Sequence, residues 1–147
     1  MNQEIYLVDN NALTAITAHR IRSEFFRSRC RITADVLWEA REHPEFTILV
    51  AAVKETTPAM LVQLKSVVGT VGVGHTNLID LYQNHGAADP GLIASILEST
   101  MIDEGTFFSD TWVLVTNDHA VEELAAAFNI VTVKPEALSK LIDASVE

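Results

Sequence analysis

The chain is short of most features that staple a small protein together or place it in a membrane. A single cysteine among 147 residues, Cys30, excludes an internal disulfide and a cysteine metal cluster, and it fits a reducing compartment. No apolar run approaches the ~18 residues of a membrane span. Glu4, ahead of only four apolar residues, lacks the basic start and long apolar core of a secretion signal, so a cytoplasmic protein with no membrane partner is expected. Positive charge is scarce as well. Ten Lys and Arg stand against twenty Asp and Glu, a net charge of −10, which argues against a protein that coats nucleic acid. Among short motifs, GxSxG, a Walker loop and a Ser-His-Asp order are all missing. Gly69, Gly72 and Gly74 are spaced GxxGxG, which is not the dinucleotide fingerprint. His19, His43, His75, His85 and His119 show no HExxH or paired ligand spacing and read as loop or surface residues, although His119 adjoins Asp118.

What is present is an ordinary globular composition. A hydrophobic fraction of 48% with 20% charged residues, and no fixed-period repeat, describe one domain over residues 1–147. Ile5-Tyr6-Leu7-Val8 is an apolar run without polar alternation, as expected of a strand buried on both faces of a parallel sheet, and it ends in Asp9-Asn10-Asn11. A helix pattern follows, so Asp9 sits at a strand's carboxyl end, where open parallel sheets bind ligands. Trp112-Val113-Leu114-Val115 repeats the pattern: a buried strand, then Thr116-Asn117-Asp118, then a helix over 121–128. Ile130 to Val133 reads as a third strand, with Pro135 opening a closing helix. Strands alternating with helices predict a parallel α/β sheet with right-handed crossovers.

Between these lie a helix over 17–29, then one opened by Thr33 that carries Glu39 beside its apolar stripe, and an apolar run from Phe46 to Val53 that fits strand or helix. Thr57 and Pro58 open a further helix towards Val68, and Asp89-Pro90 reads as cap and first position of another. Each of Asp9, Glu39, Asp89 and Asp118 has a plain reading, as helix cap or exposed helix residue, beside the functional one. All six arginines, Arg20, Arg22, Arg27, Arg29, Arg31 and Arg41, fall within residues 20–41. Against Glu24, Asp35 and Glu39 they give that stretch +3, so the remainder carries −13. Such a strip reads as a solvated helix face or as a local guide for a polyanion.

Four segments in order carry a resemblance: Val8-Asp9-Asn10-Asn11-Ala12-Leu13; Ile32-Thr33 through Leu37-Trp38-Glu39; Ala88-Asp89-Pro90-Gly91-Leu92-Ile93-Ala94; and Val115-Thr116-Asn117-Asp118. With the tail from Ile130 to Leu138, they span essentially the whole chain, which resembles the PIN domain family and is similar to toxin nucleases of the VapC type. Asn10 stands where the family often has Thr, and Pro90-Gly91 is a less usual sequel to the third acid. The resemblance implies a three-layer α/β/α sandwich around a mostly parallel sheet of about 4–5 strands. It implies a magnesium- or manganese-dependent endoribonuclease, the toxin of a type II toxin–antitoxin pair, leaving a 5′-phosphate and a 3′-hydroxyl. By the resemblance, Asp9, Glu39, Asp89 and Asp118 are the catalytic, metal-site acids, while Asn11 and Thr116 hold the strand ends in place. The six arginines would touch RNA or an antitoxin protein, and the chain would form a homodimer. Hard oxygen ligands suit Mg²⁺ or Mn²⁺, and clustered carboxylates without basic partners repel one another unless a divalent ion neutralises them. The competing expectation is a non-catalytic PIN-like protein-binding or regulatory module whose acids are helix caps. A response-regulator receiver, suggested by Val133-Lys134-Pro135, would need an Asp near residue 50, and Leu49-Val50-Ala51-Ala52 has none.

Overall fold

Among the described residues every strand pairing is parallel, so each of these strands delivers its carboxyl end to the same edge of the sheet. The computed structural model describes residues 3–54, 62, 63, 65, 67, 88–103 and 110–146. The expected helix over 57–68 lies mostly outside the described residues, and the glycine-punctuated stretch after it entirely so. In chain order the elements are β1 (Glu4–Val8), α1 (Asn10–Thr14), α2 (Ala18–Ile21), α3 (Glu24–Arg29), β2 (Cys30–Arg31), α4 (Ala34–Glu39) and α5 (Phe46–Ala51). They continue as α6 (Ala88–Asp103), β3 (Thr111–Val115), α7 (His119–Ala127), β4 (Thr132–Val133) and α8 (Pro135–Ser145).

The strand order is β2-β1-β3-β4, with helices on both faces in an α/β/α sandwich. A lone parallel bridge between Ile32 and Val53 extends the sheet beyond β2. β1 is central, and Ile5, Tyr6, Leu7 and Val8 are all buried, which is why four apolar residues in a row serve as one strand. The core continues through Phe26, Ile32, Leu49, Leu92, Ile93, Ile96, Leu114, Leu138 and Ile142. Because the chain steps from β1 to β2 on one side and later adds β3 on the other, the strand order reverses between β1 and β3. Outside the carboxyl ends at such a reversal, two neighbouring connections leave in opposite directions and open a crevice.

Local capping explains where the helices differ from the sequence reading. The stretch read as one helix over 17–29 is two, because Ser23 accepts a hydrogen bond from the Phe26 amide (3.1 Å) while donating to the Arg20 carbonyl (2.6 Å). That ends one helix and caps the next. Thr33 caps α4 through the Val36 amide (3.2 Å). The ambiguous run 46–53 resolves into α5 followed by the bridge at Val53. Among the described residues no helix is long and apolar enough to cross a membrane.

Candidate functional site at the carboxyl edge

β1 and β3 run in register from Glu4 beside Thr111 to Val8 beside Val115, so Asp9 and Thr116 leave the sheet side by side. The Asp9 amide donates to the Val115 carbonyl (2.9 Å), carrying the ladder one step past the strands. Thr116 Oγ1 then donates to Asp9 Oδ2 (2.9 Å) and accepts from the Asp118 amide (3.0 Å). A hydroxyl has one proton to give, and here it is committed to Asp9. Asn11 closes the same crevice from the other connection, its Oδ1 accepting from the Asn117 amide (3.1 Å). Residues 107 positions apart in sequence are thereby fixed within one hydrogen-bond network.

The two acids are used differently. Asp9 occupies the cap position of α1, yet its Oδ1 takes only the adjacent Asn10 amide (2.7 Å), and its other oxygen faces Thr116. An ordinary cap accepts from the second or third helical amide, so the carboxylate is turned towards the crevice. Asp118 is an ordinary cap: Oδ1 accepts from Ala120 (2.9 Å) and Val121 (3.3 Å). Asp9 is only 4% exposed. Burial pushes its pKa above the usual carboxylate value, the hydrogen bonds from Thr116 and Asn10 pull it down, and the charge of Asp118 adds a smaller upward push.

These residues fit a hard divalent cation. Two carboxylates beside a crevice, one held costly in its ionised form by burial and by a like charge, are the donor chemistry Mg²⁺ or Mn²⁺ takes, with water completing the shell. Among the described side chains, Thr116 links the Asp9 carboxylate to the Asp118 backbone. Glu39 is the last residue of α4 and exposed, and Asp89 stands in the first turn of α6 with its side chain outside the described residues. Among the described residues no three His, Cys, Asp or Glu side chains form a group able to hold a metal ion.

Two lysines flank this edge, and neither figures in the sequence reading of the site. On one side the Lys54 amide donates to the Ile32 carbonyl (2.8 Å), and its ammonium forms a buried ion pair with Glu98 of α6 (2.5 Å). On the other side the Thr116 amide donates to the Val133 carbonyl (3.1 Å), which sets Lys134 next in line beside Thr116. The signal was available: each lysine directly follows an apolar strand position, as Asp9 and Thr116 do.

The six arginines are engaged within the fold. Arg20 grips Asp143 with two bonds (both 2.9 Å), and Arg22 pairs with Glu45 (2.7 Å). Arg27 donates twice to the Arg22 carbonyl, Arg31 to the Cys30 carbonyl, and Arg41 to the Trp38 carbonyl while stacking on the Trp38 ring. Arg29 donates to the carbonyl of Glu4, at the amino end of β1 and so at the opposite edge from Asp9. An open cleft of about 380 Å³ lies beside Arg20 and Arg22, between α2, α3 and α8. No family model matches the chain, and no curated protein matches it.

Proposed function

We propose that this chain is a PIN-like, Mg²⁺- or Mn²⁺-dependent endoribonuclease, the toxin of a toxin–antitoxin pair, acting in the cytoplasm. The observation that carries the reading is the Thr116 hydroxyl, which ties the buried Asp9 carboxylate to the Asp118 backbone at the reversal point of the sheet. A structural cap needs no such tie, and a buried ionised carboxylate costs stability unless something compensates it. Asp9 and Asp118 would hold a divalent ion there, whose charge would help activate water and stabilise the departing oxygen of a phosphodiester. The chain's own part is to orient. Thr116 and the Asn10 amide fix the two Asp9 oxygens, the first turn of α7 fixes Asp118, and Asn11 clamps the two connections together. Glu39 and Asp89 would complete the acidic set. A homodimer and an antitoxin partner belong to the same reading.

A second reading has one observation in its favour. Asp118 meets two helix amides as any cap does, which suits a non-catalytic PIN-like protein-binding or regulatory module. Calorimetric titration of Mn²⁺ into the metal-free protein, with Asp9→Asn and Asp118→Asn beside it, separates the two. Saturable binding lost in both variants, with metal-dependent RNA cleavage lost alike, is the expected result. No binding by the folded wild-type protein, and no cleavage with metal present, favours the module.

A further inference from the structure

An acidic protein that cuts RNA must hold a polyanion beside its own carboxylates, and its arginines are taken up elsewhere. We propose that Lys134 is a substrate-binding residue that holds a backbone phosphate of single-stranded RNA beside the Asp9–Asp118 crevice. The proposal rests on the ribonuclease reading and adds to it the residue that meets the substrate's charge.

Position comes first. Val133 pairs with Val115, and the Thr116 amide bonds to the Val133 carbonyl, so Lys134 and Thr116 leave neighbouring strands about 5 Å apart. The ammonium is then aimed. Lys134 Nζ lies 2.9 Å from Glu122 Oε1, and Glu122 is four residues after Asp118 in α7, hence one turn along the same helix face. The lysine therefore sits over the first turn of the helix that Asp118 caps. Availability follows: its side chain is 52% exposed, and ion pairs this exposed contribute little, so a phosphate can displace Glu122 at small cost. Lys54, the lysine on the other flank, offers none of this. Its side chain is 13% exposed and locked to a buried Glu98. Of the arginines, Arg20 lies in α2 and Arg22 at its end, paired with Asp143 and Glu45, and Arg29 serves the far edge, so none of these three follows a strand beside Thr116 as Lys134 does.

The test measures binding of a labelled oligouridylate across a salt series with Mn²⁺ present, in an Asp9→Asn background so that the RNA survives. Lys134→Gln is expected to weaken binding several-fold and to lower the slope of log K against log salt by about 0.7, the loss of one single-strand phosphate contact. Lys134→Arg should keep both, and Glu122→Gln, which frees the ammonium, should tighten binding. Lys140→Gln, on the exposed face of α8, should change neither. Because Lys134 is exposed and makes no side-chain cap, melting of Lys134→Gln should match its parent. Unaltered affinity and slope in Lys134→Gln, in a protein whose wild type cleaves RNA, overturn the proposal alone. A wild type that cleaves no RNA, with no binding in the Asp9→Asn background, overturns the ribonuclease reading and this inference with it.

Discussion

The carboxyl-edge acids and the arginine strip are opposite cases of how charge is laid out in a chain. The arginines are crowded into residues 20–41, yet the fold spends them one by one on carbonyls and on distant carboxylates such as Asp143. The acids are scattered, yet β1 and β3 set two of them on either side of one threonine. Density in sequence is a poor guide to a site. A parallel sheet gathers whatever follows its strands, whereas a run of helices disperses neighbours around their axes.

The comparison breaks most visibly at Asp9. Asp9→Asn should reduce RNA cleavage at least about a hundredfold through loss of metal affinity, and it should at the same time raise the melting temperature of the metal-free protein at neutral pH. The second effect has a definite sign. Burial lifts the folded-state pKa of Asp9 above its ordinary 3.8, so between those values the folded chain binds more proton than the unfolded one. Stability therefore falls as pH rises through that window, and above it the cost of the buried charge remains in full. The asparagine variant should lack this fall. A variant less stable than the wild type without metal would mean that the carboxylate is structural.

Next in size is Lys54. Lys54→Met leaves Glu98 buried beside an apolar side chain and should cost about 3–5 kcal/mol in urea unfolding, while Lys54→Met with Glu98→Met should recover most of it. A double variant as unstable as the single one would show that the ion pair is not the reason for the loss.

Much of this architecture was legible. β1, β3 and the strand ends at Asp9 and Thr116 are plain in the sequence because four buried apolar residues followed by polar ones leave few alternatives. β2 was not, since Cys30–Arg31 is too short for any periodicity and exists only by pairing with Tyr6 and Leu7. The break at Ser23 was hidden because Ile21 and Phe25 keep helical spacing across it. Thr116 and Asn11 stood out only through the PIN resemblance: their roles depend on partners 107 and 106 residues away. The flanking lysines were readable as strand-end residues, but which is buried and which is open depends on the helices above them.

A smaller effect sharpens the reading of Asp118. Serine caps helices about as well as aspartate but brings no carboxylate. Asp118→Ser should therefore change stability by no more than about 0.5 kcal/mol, where Asp118→Ala loses about 1 kcal/mol. If Asp118 is only a cap, Mn²⁺ binding and cleavage should survive in the serine variant. If it is also a ligand, both should disappear from a protein that melts normally.

The smallest effect belongs to the strip. Arg20 holds the Asp143 carboxyl below its ordinary pKa, with Asp143 exposed and Arg20 half-buried at the surface. A folded-state pKa below the unfolded one favours the fold above the unfolded value and is lost as pH falls through the folded one. Arg20→Gln should thus leave cleavage unchanged. It should trim stability only slightly at neutral pH, and the difference from wild type should fade at low pH. High salt should erase it too, since the Debye length shrinks to about 3 Å at 1 M. A large loss of RNA affinity in Arg20→Gln, with melting unchanged, would instead make the strip a track for the substrate. The phosphate contacts would then extend along α2, away from the edge where Lys134 stands.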